Sequence, residues 1–386
     1  MAVERALEGI TIIEFGHSVA APYAGLILAD LGARVIKVEN PLGGDYARGW
    51  GPPFWNDTST SFHSLNRGKE GVSVDFSNDE DLERLRQLIL EEADAVIQNL
   101  RPGVLSRFGL DGPTLQAAKP SLIWCDIGAF GANGPLSGKP GYDPLVQACT
   151  GIMSITGNGD DQPVRVGVSL VDMGSGMWTV IGLLSSLIAR GKENRGATVS
   201  TSLFETGLAW MTIPLAGYAA NGEVRSPHGS GVAEIVPYQA FQTMDGWMMI
   251  AAGNDNLFRR LCDVLGLEDA ARDERFRTNE ARVNNRDAIV GLVAEKVAKW
   301  RDEKLSAALD AAGVPNAPLY TVDQVFDHPQ VRALDVIRPA EGDSLPLMGT
   351  PLAFDGRRPR SKGTAPQLGE DNERVLRSTR SVKLAG

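Results

Sequence analysis

Residues 10–44 read ITIIEFGHSVAAPYAGLILADLGARVIKVENPLGG. Ile10–Phe15 is a short β-branched run that ends at Gly16. Ala21–Leu31 has helix-forming composition, with Pro22 in its first turn and Gly32 as its stop. Arg34–Glu39 is strand again, closed by Asn40-Pro41 and Gly43-Gly44. Strand, helix and strand within about 30 residues make a βαβ unit. Outward from it the pattern repeats: Val72–Phe76, a helix over Asp79–Glu92 introduced by Ser77-Asn78, then Asp94–Gln98, with Ser121–Asp126 as a further buried strand. The alternation predicts an α/β fold, a parallel sheet covered on both faces.

Residues 127–171 are rich in Gly and Pro and read as loops with short elements. A helix is expected over Gly174–Arg190, a strand over Thr198–Leu203 and a second apolar helix over Glu205–Ala220. Past a polar loop at Asn221–Val232 the texture changes. Tyr238–Thr243 and Trp247–Ala252, joined through Asp245-Gly246, read as a hairpin, and charged amphipathic helices fill much of 256–312. The expected layout is a large α/β domain over 1–205, a linker helix over 206–224, a smaller α+β domain over 225–320, and a linker with a return to the large domain over 321–386.

The chain has 386 residues, 43% of them hydrophobic, and a net charge of −10. That charge argues against nucleic acid or anionic membrane as partner. It leaves room for an anionic small molecule, whose binding depends on the local field. Cys125, Cys149 and Cys262 are scattered and odd in number, which fits a cytoplasmic protein with neither disulfide framework nor metal site. The apolar stretches around Met177–Ala189 and Leu208–Ala220 are diluted by Gly and Ser and read as buried helices, not membrane spans. No dinucleotide fingerprint follows the first strand and no P-loop occurs. Gly16-His17-Ser18-Val19-Ala20 falls one residue short of a nucleophile elbow.

The chemistry concentrates at Gly141-Tyr142-Asp143 and at Val171-Asp172-Met173-Gly174-Ser175-Gly176. Asp172 falls between a strand-like run, Val164–Val171, and a Gly-rich helix start. An ordinary helix N-cap explains it. A carboxylate kept ionised by the helix end, with glycines letting a ligand approach, explains it equally and can act as a covalent nucleophile.

From Leu7 to Trp50, then through Leu65–Lys69 (LNRGK), Asn99–Val104 (NLRPGV), Gly141–Asp143 and the Asp172 segment, the chain resembles the family III CoA-transferases, which include formyl-CoA and carnitine CoA-transferases. The resemblance implies a Rossmann-like large domain with a smaller α+β domain, in an interlocked homodimer. It implies transfer of CoA between an acyl-CoA and a carboxylic acid, a dicarboxylate such as succinate being one candidate. Asp172 would pass through an aspartyl–acyl anhydride and an aspartyl-CoA thioester, with no cofactor beyond coenzyme A itself. Val19, Ala20, Asn40, Trp50, Lys69, Val74, Asn99, Leu100 and Arg107 match CoA-contacting positions or segments, with Tyr142 and Asp143 beside them. His228, Gly229, Ser230 and Gly231 lie near a loop that covers the site. Ala20 stands where formyl-CoA transferases carry glutamine, which argues against the oxalate/formate pair. Tyr142 stands where related α-methylacyl-CoA racemases carry histidine, and a phenol is a poor proton shuttle near neutral pH. The alternatives are a racemase-like enzyme and a non-catalytic CoA-binding protein.

Overall fold

The protein is described by a computed structural model covering residues 3–159, 162–339, 341–360 and 363–377, so parts of the expected spans 1–205 and 321–386 fall outside it. The chain divides into two units. The first comprises Met1–Ile152, Arg165–Gly217 and Pro329–Gly386, and the second comprises Met153–Val164 and Tyr218–His328.

The first unit is built on β1 (Thr11–Phe15), α1 (Ala20–Asp30) and β2 (Arg34–Glu39). A two-strand hairpin follows, β3 (Phe54–Trp55) with β4 (Thr58–Ser59), and then α2 (Thr60–Asn66). Next come β5 (Glu70–Ser73), α3 (Asp79–Glu92), β6 (Ala95–Gln98), α4 (Gly112–Ala118) and β7 (Ile123–Gly128). After α5 (Asp143–Cys149) and α6 (Leu170–Glu193), β8 (Thr198–Ser202) completes the sheet, followed by α7 (Leu203–Trp210) and α8 (Thr212–Asn221), whose residues from Tyr218 onward are counted with the second unit.

The sheet has six strands in the order β5-β2-β1-β6-β7-β8, all pairs parallel. Counted along the sheet's own strands this is 3-2-1-4-5-6, the doubly wound order in which ligands lie at the carboxyl ends of the two central strands, where the winding reverses. That point falls between β1 and β6. Ile12 and Ile13 on β1 and Val96 and Ile97 on β6 are fully buried, as expected of strands covered on both faces.

Local chemistry explains the elements that sequence placed well. α3 begins where Asn78 Oδ1 accepts from the Glu80 and Asp81 amides, carries three acids in its first turn, and buries Leu85, Leu88 and Ile89 as one stripe. The edge strand β5 is closed by the C-terminal segment: Asp371 and Asn372 accept from the Gly71 and Ser73 amides at 2.8 Å each, so its ladder groups are not left open.

Three readings are corrected. Val164–Val171 is not strand; it is extended and bent chain leading to Ser169, and α6 begins at Leu170, four residues earlier than expected. Among the described residues the alternating valines have no ladder partner, and alternation without a partner is no strand. The helix expected over Glu205–Ala220 is two helices that break at Met211. The strand expected at Val72–Phe76 is β5, Glu70–Ser73; Val74 and Phe76 continue into the core beyond the last ladder pair.

The second unit pairs β9 (Tyr238–Gln242) antiparallel with β10 (Trp247–Ala251), as the hairpin reading expected, and adds β11 (Asn316–Pro318) against β10. The helices Asp255–Leu265, Arg286–Val297 and Asp302–Ala311 close over Phe241, Met248 and Ile250.

Candidate active site

The turn that leaves β1 crosses the switch point. Asn99, just past β6, ties it there: its Oδ1 accepts from His17 N and its Nδ2 donates to His17 O, both at 2.9 Å. Ser18 takes a left-handed φ of 66°, a strained conformation held by its amide donating to Asp45 at 2.9 Å. Val19 then opens α1 without a side-chain cap, and the first turn of α1 carries no acid. The start of α1 therefore presents backbone donors and the positive end of the helix at the sheet's crevice.

Beneath this turn lies a fully buried ionic cluster. The Lys37 ammonium bonds Gly16 O at 2.6 Å, Asp45 at 2.9 Å and Glu14 at 3.2 Å. Burial pulls its pKa down, but Glu14, Asp45 and Glu39 outweigh burial, so the charge is held. For Asp45 burial works upward, while Lys37 and the amides of Ser18 and Ala47 bring the carboxyl below its usual range. Lys69 closes the cluster against Glu14 at 2.7 Å, with Asn66 Oδ1 at 2.9 Å and Pro22 O at 2.8 Å. Burial lowers the Lys69 pKa to about 8 despite Glu14.

α6 crosses the start of α1. A Cβ added at Gly176 would stand 2.7 Å from the Ala20 carbonyl oxygen, and one at Gly174 would stand 2.8–2.9 Å from Thr206 and Trp210 of α7. The glycines of the Asp172 segment thus admit neighbouring helices, which corrects the reading that they open the backbone to a ligand. Asp172 lies one turn before Gly176 on the same face of α6 and is half-buried.

Asp172 is not the cap of α6. Ser169 is the N-cap and gives no side-chain bond. The acceptor comes from upstream: Asp143 Oδ2 accepts from Val171 N at 2.7 Å and from Asp172 N at 3.1 Å. Asp143 is 3% exposed, and its Oδ1 accepts from Gln147 Nε2 at 2.6 Å. Gln147 Oε1 accepts in turn from Val166 N at 2.8 Å. The helix end expected to keep Asp172 ionised is taken by another carboxyl group. Burial first and the Asp143 charge second push the Asp172 pKa up to about 7, the opposite of the sequence expectation.

The other expected residues separate into two sets. Val19, Ala20, Asn99 and Leu100 gather at the switch point, and Arg107 lies on the segment following β6. Arg107 and Arg101 are exposed, and neither makes an ion pair among the described residues. Arg101 belongs to the NLRPGV segment of the resemblance but was not singled out as a binding residue; its place three residues past the end of β6 is the signal. Asn40 is exposed in the turn after β2, where its Oδ1 accepts from Leu42 N at 2.7 Å. Trp50 and Tyr142 are exposed, Tyr142 at the start of α5. Two expectations are corrected. Lys69 is walled in by Glu14, Asn66 and Pro22 and offers no donor to a ligand, and Val74 is a core side chain packed among Phe15, Val38 and Leu85. His228–Gly231 belongs to the second unit, where Gly229 N donates to Gly157 O at 2.8 Å and Ser230 Oγ accepts from Ala240 N at 2.9 Å. Gln147 and the buried ionic cluster left no mark in sequence.

Comparison with known proteins identifies the family. The model of CoA-transferase family III matches residues 7–372. The succinate–glutarate CoA-transferase of Agrobacterium fabrum is 35% identical over 98% of this chain and 96% of its own length. The acetyl-CoA:oxalate CoA-transferase of Acetobacter aceti is 35% identical over 94% of this chain and 93% of its own. The crystal structure of a CAIB/BAIF family protein from Brucella suis superposes with a TM-score of 0.88 at 37% identity, covering 97% of this chain and 100% of that one. Matched almost end to end in sequence and in fold, the chain belongs to CoA-transferase family III.

Proposed function

We propose that this enzyme moves CoA between an acyl-CoA and a free dicarboxylate, with Asp172 as the nucleophile. The observation that supports the reading is that Asp172 stands one helical turn before Gly176, where α6 crosses the start of α1 at the backbone of Ala20. The carboxylate attacks the donor thioester, forming an aspartyl–acyl anhydride and expelling CoA thiolate. The thiolate attacks the aspartyl carbonyl of that anhydride, releasing the free acid and leaving an aspartyl-CoA thioester. The acceptor carboxylate reverses the sequence, so one activated acyl bond replaces another at each step.

The amides at the start of α1 are suited to steady the negative charge of the tetrahedral intermediates, a role Asp143 bars from the end of α6. Val19, Ala20 and Leu100 would line the arm of CoA, and Arg101 and Arg107 would meet its phosphates. The relatives that act on succinate and glutarate support a dicarboxylate acceptor. α6 carries an exposed apolar stripe, Trp178, Ile181 and Ile188, which suits burial against a second copy in a homodimer of a cytoplasmic enzyme.

Asp172→Ala should abolish CoA exchange, and hydroxylamine should intercept an acyl or CoA adduct on Asp172, located by mass spectrometry. Full exchange in that variant removes the proposal. A carboxyl group near neutral pKa also suits proton abstraction beside a thioester, which is the racemase reading. Solvent deuterium at the substrate α-carbon after turnover would favour that reading; its absence excludes it.

A further inference from the structure

The capping of α6 from outside its own sequence has a chemical consequence. Three donors converge on the Asp143 carboxyl group: Val171 N, Asp172 N and Gln147 Nε2. Gln147 cannot turn its amide around, because its Oε1 is fixed by the Val166 amide at 2.8 Å. Its Nε2 therefore faces Asp143, and Asp143 is held purely as an acceptor. A long helix stabilises an anion at its first turn. Here that place is filled, and Asp172 receives a neighbouring negative charge in place of the helix end.

We propose that Gln147 is a positioning residue for the nucleophile: by anchoring Asp143 across the free amides of α6, it withholds the helix end from Asp172 and fixes a negative charge beside it. This rests on Asp172 being the attacking group. The arrangement makes the Asp172 carboxylate more basic and hence a stronger nucleophile toward a thioester. The other titratable groups on α1, on α7 and in the loop before α6 are not what acts on Asp172. Tyr23, on α1, packs at Gly176, and its phenol is pushed above its usual range by burial. Glu205, on α7, is bonded to Ser202 Oγ. Arg165, in the preceding loop, donates to the carbonyls of Val166 and Gly167. The charge that acts on Asp172 is that of Asp143.

The test is the pH dependence of kcat/KM for exchange in the full-length enzyme. Wild type should show an acid limb near pH 7, set by Asp172. Asp143→Asn should move that limb down by about one unit or more and lower the plateau rate. Gln147→Met, close in size but without donor or acceptor, should move it in the same direction by less. A merely structural role for Gln147 lowers the rate at every pH and leaves the limb in place, and an unmoved limb in both variants overturns the proposal. An infrared titration of wild type guards against variants that do not fold. A protonated-carboxyl band that titrates near neutrality should be present and should vanish in Asp172→Asn; absence of that band also overturns the proposal. Exchange retained by Asp172→Asn would remove the nucleophile itself, whereas exchange lost there with an unmoved limb elsewhere removes only the role of Gln147.

Discussion

At the scale of single residues, the site depends on which charges are exposed and which are enclosed. Asp172 gives a linkage prediction with a definite sign. Its folded pKa is raised to about 7, above the ordinary carboxylate value, so its contribution to stability is full at acid pH and is lost as pH rises through 7. Asp172→Asn should therefore gain melting temperature relative to wild type as pH rises from about 4 to about 7 and level off above that; a difference that stays flat or falls with pH across that window contradicts the assignment. Lys69 gives a second. Were it a surface phosphate ligand, Lys69→Met would raise KM for acyl-CoA and leave stability alone. Enclosed against Glu14, it should instead cost about 3–5 kcal/mol of unfolding free energy, because a buried carboxylate loses one of its two ammonium partners. Denaturant unfolding separates the two outcomes. Asp172 itself was legible in sequence as a carboxylate at a Gly-rich helix start. Its protonation was not, since the acceptor that takes the helix end lies 29 positions upstream. Lys69 was assigned to CoA from the resemblance of its segment, and only the sheet brings Glu14 on β1 beneath it.

At the scale of elements, α1 and α6 set the geometry together. Ala in place of Gly in a helix interior normally gains about 1 kcal/mol in propensity. At Gly176 the added methyl would meet a backbone carbonyl at 2.7 Å, which cannot rotate away, and relieving such overpacking costs about 1–3 kcal/mol. The clash should win. Gly176→Ala is expected to be net destabilised by about 1 kcal/mol and, by displacing α1 at Ala20, to raise KM for acyl-CoA several-fold. A variant of higher stability and unchanged KM would show that α6 does not press on α1 there. Elements whose signals are local were readable in advance. Arg34–Glu39 and Asp79–Glu92 carry their own propensity, caps and stops, and both were placed to the residue. The valines before α6 failed because strand identity depends on a partner strand, which the sequence near them cannot supply.

At the scale of the whole molecule, a net charge of −10 must accommodate a polyanionic carrier. Arg101 and Arg107, exposed and unpaired among the described residues, stand on the segment that follows β6. Arg107→Ala should raise KM for acyl-CoA about tenfold at low salt, with kcat at saturation little changed and the difference shrinking as salt rises. Equal effects on kcat and KM at all ionic strengths would move Arg107 out of the binding role. Assembly is the property for which composition gave no direct sign, yet α6 offers one. By length and apolarity this helix could cross a bilayer, but one side of it is packed on α1, β7, β8 and α7 as a core helix. Its other side exposes Trp178, Ile181 and, at 69%, Ile188, spaced three and seven residues apart as a single stripe. Such a stripe on a helix otherwise committed to the core would be covered, in the proposed homodimer, by a second copy of the chain. Sedimentation should then report twice 41.3 kDa for wild type. Ile188→Glu should weaken the dimer about 100-fold, since the lost burial and the newly buried charge together exceed 2.7 kcal/mol. A wild-type monomer of 41.3 kDa, or a dimer indifferent to Ile188→Glu and Ile181→Glu together, would show that this face is not the interface.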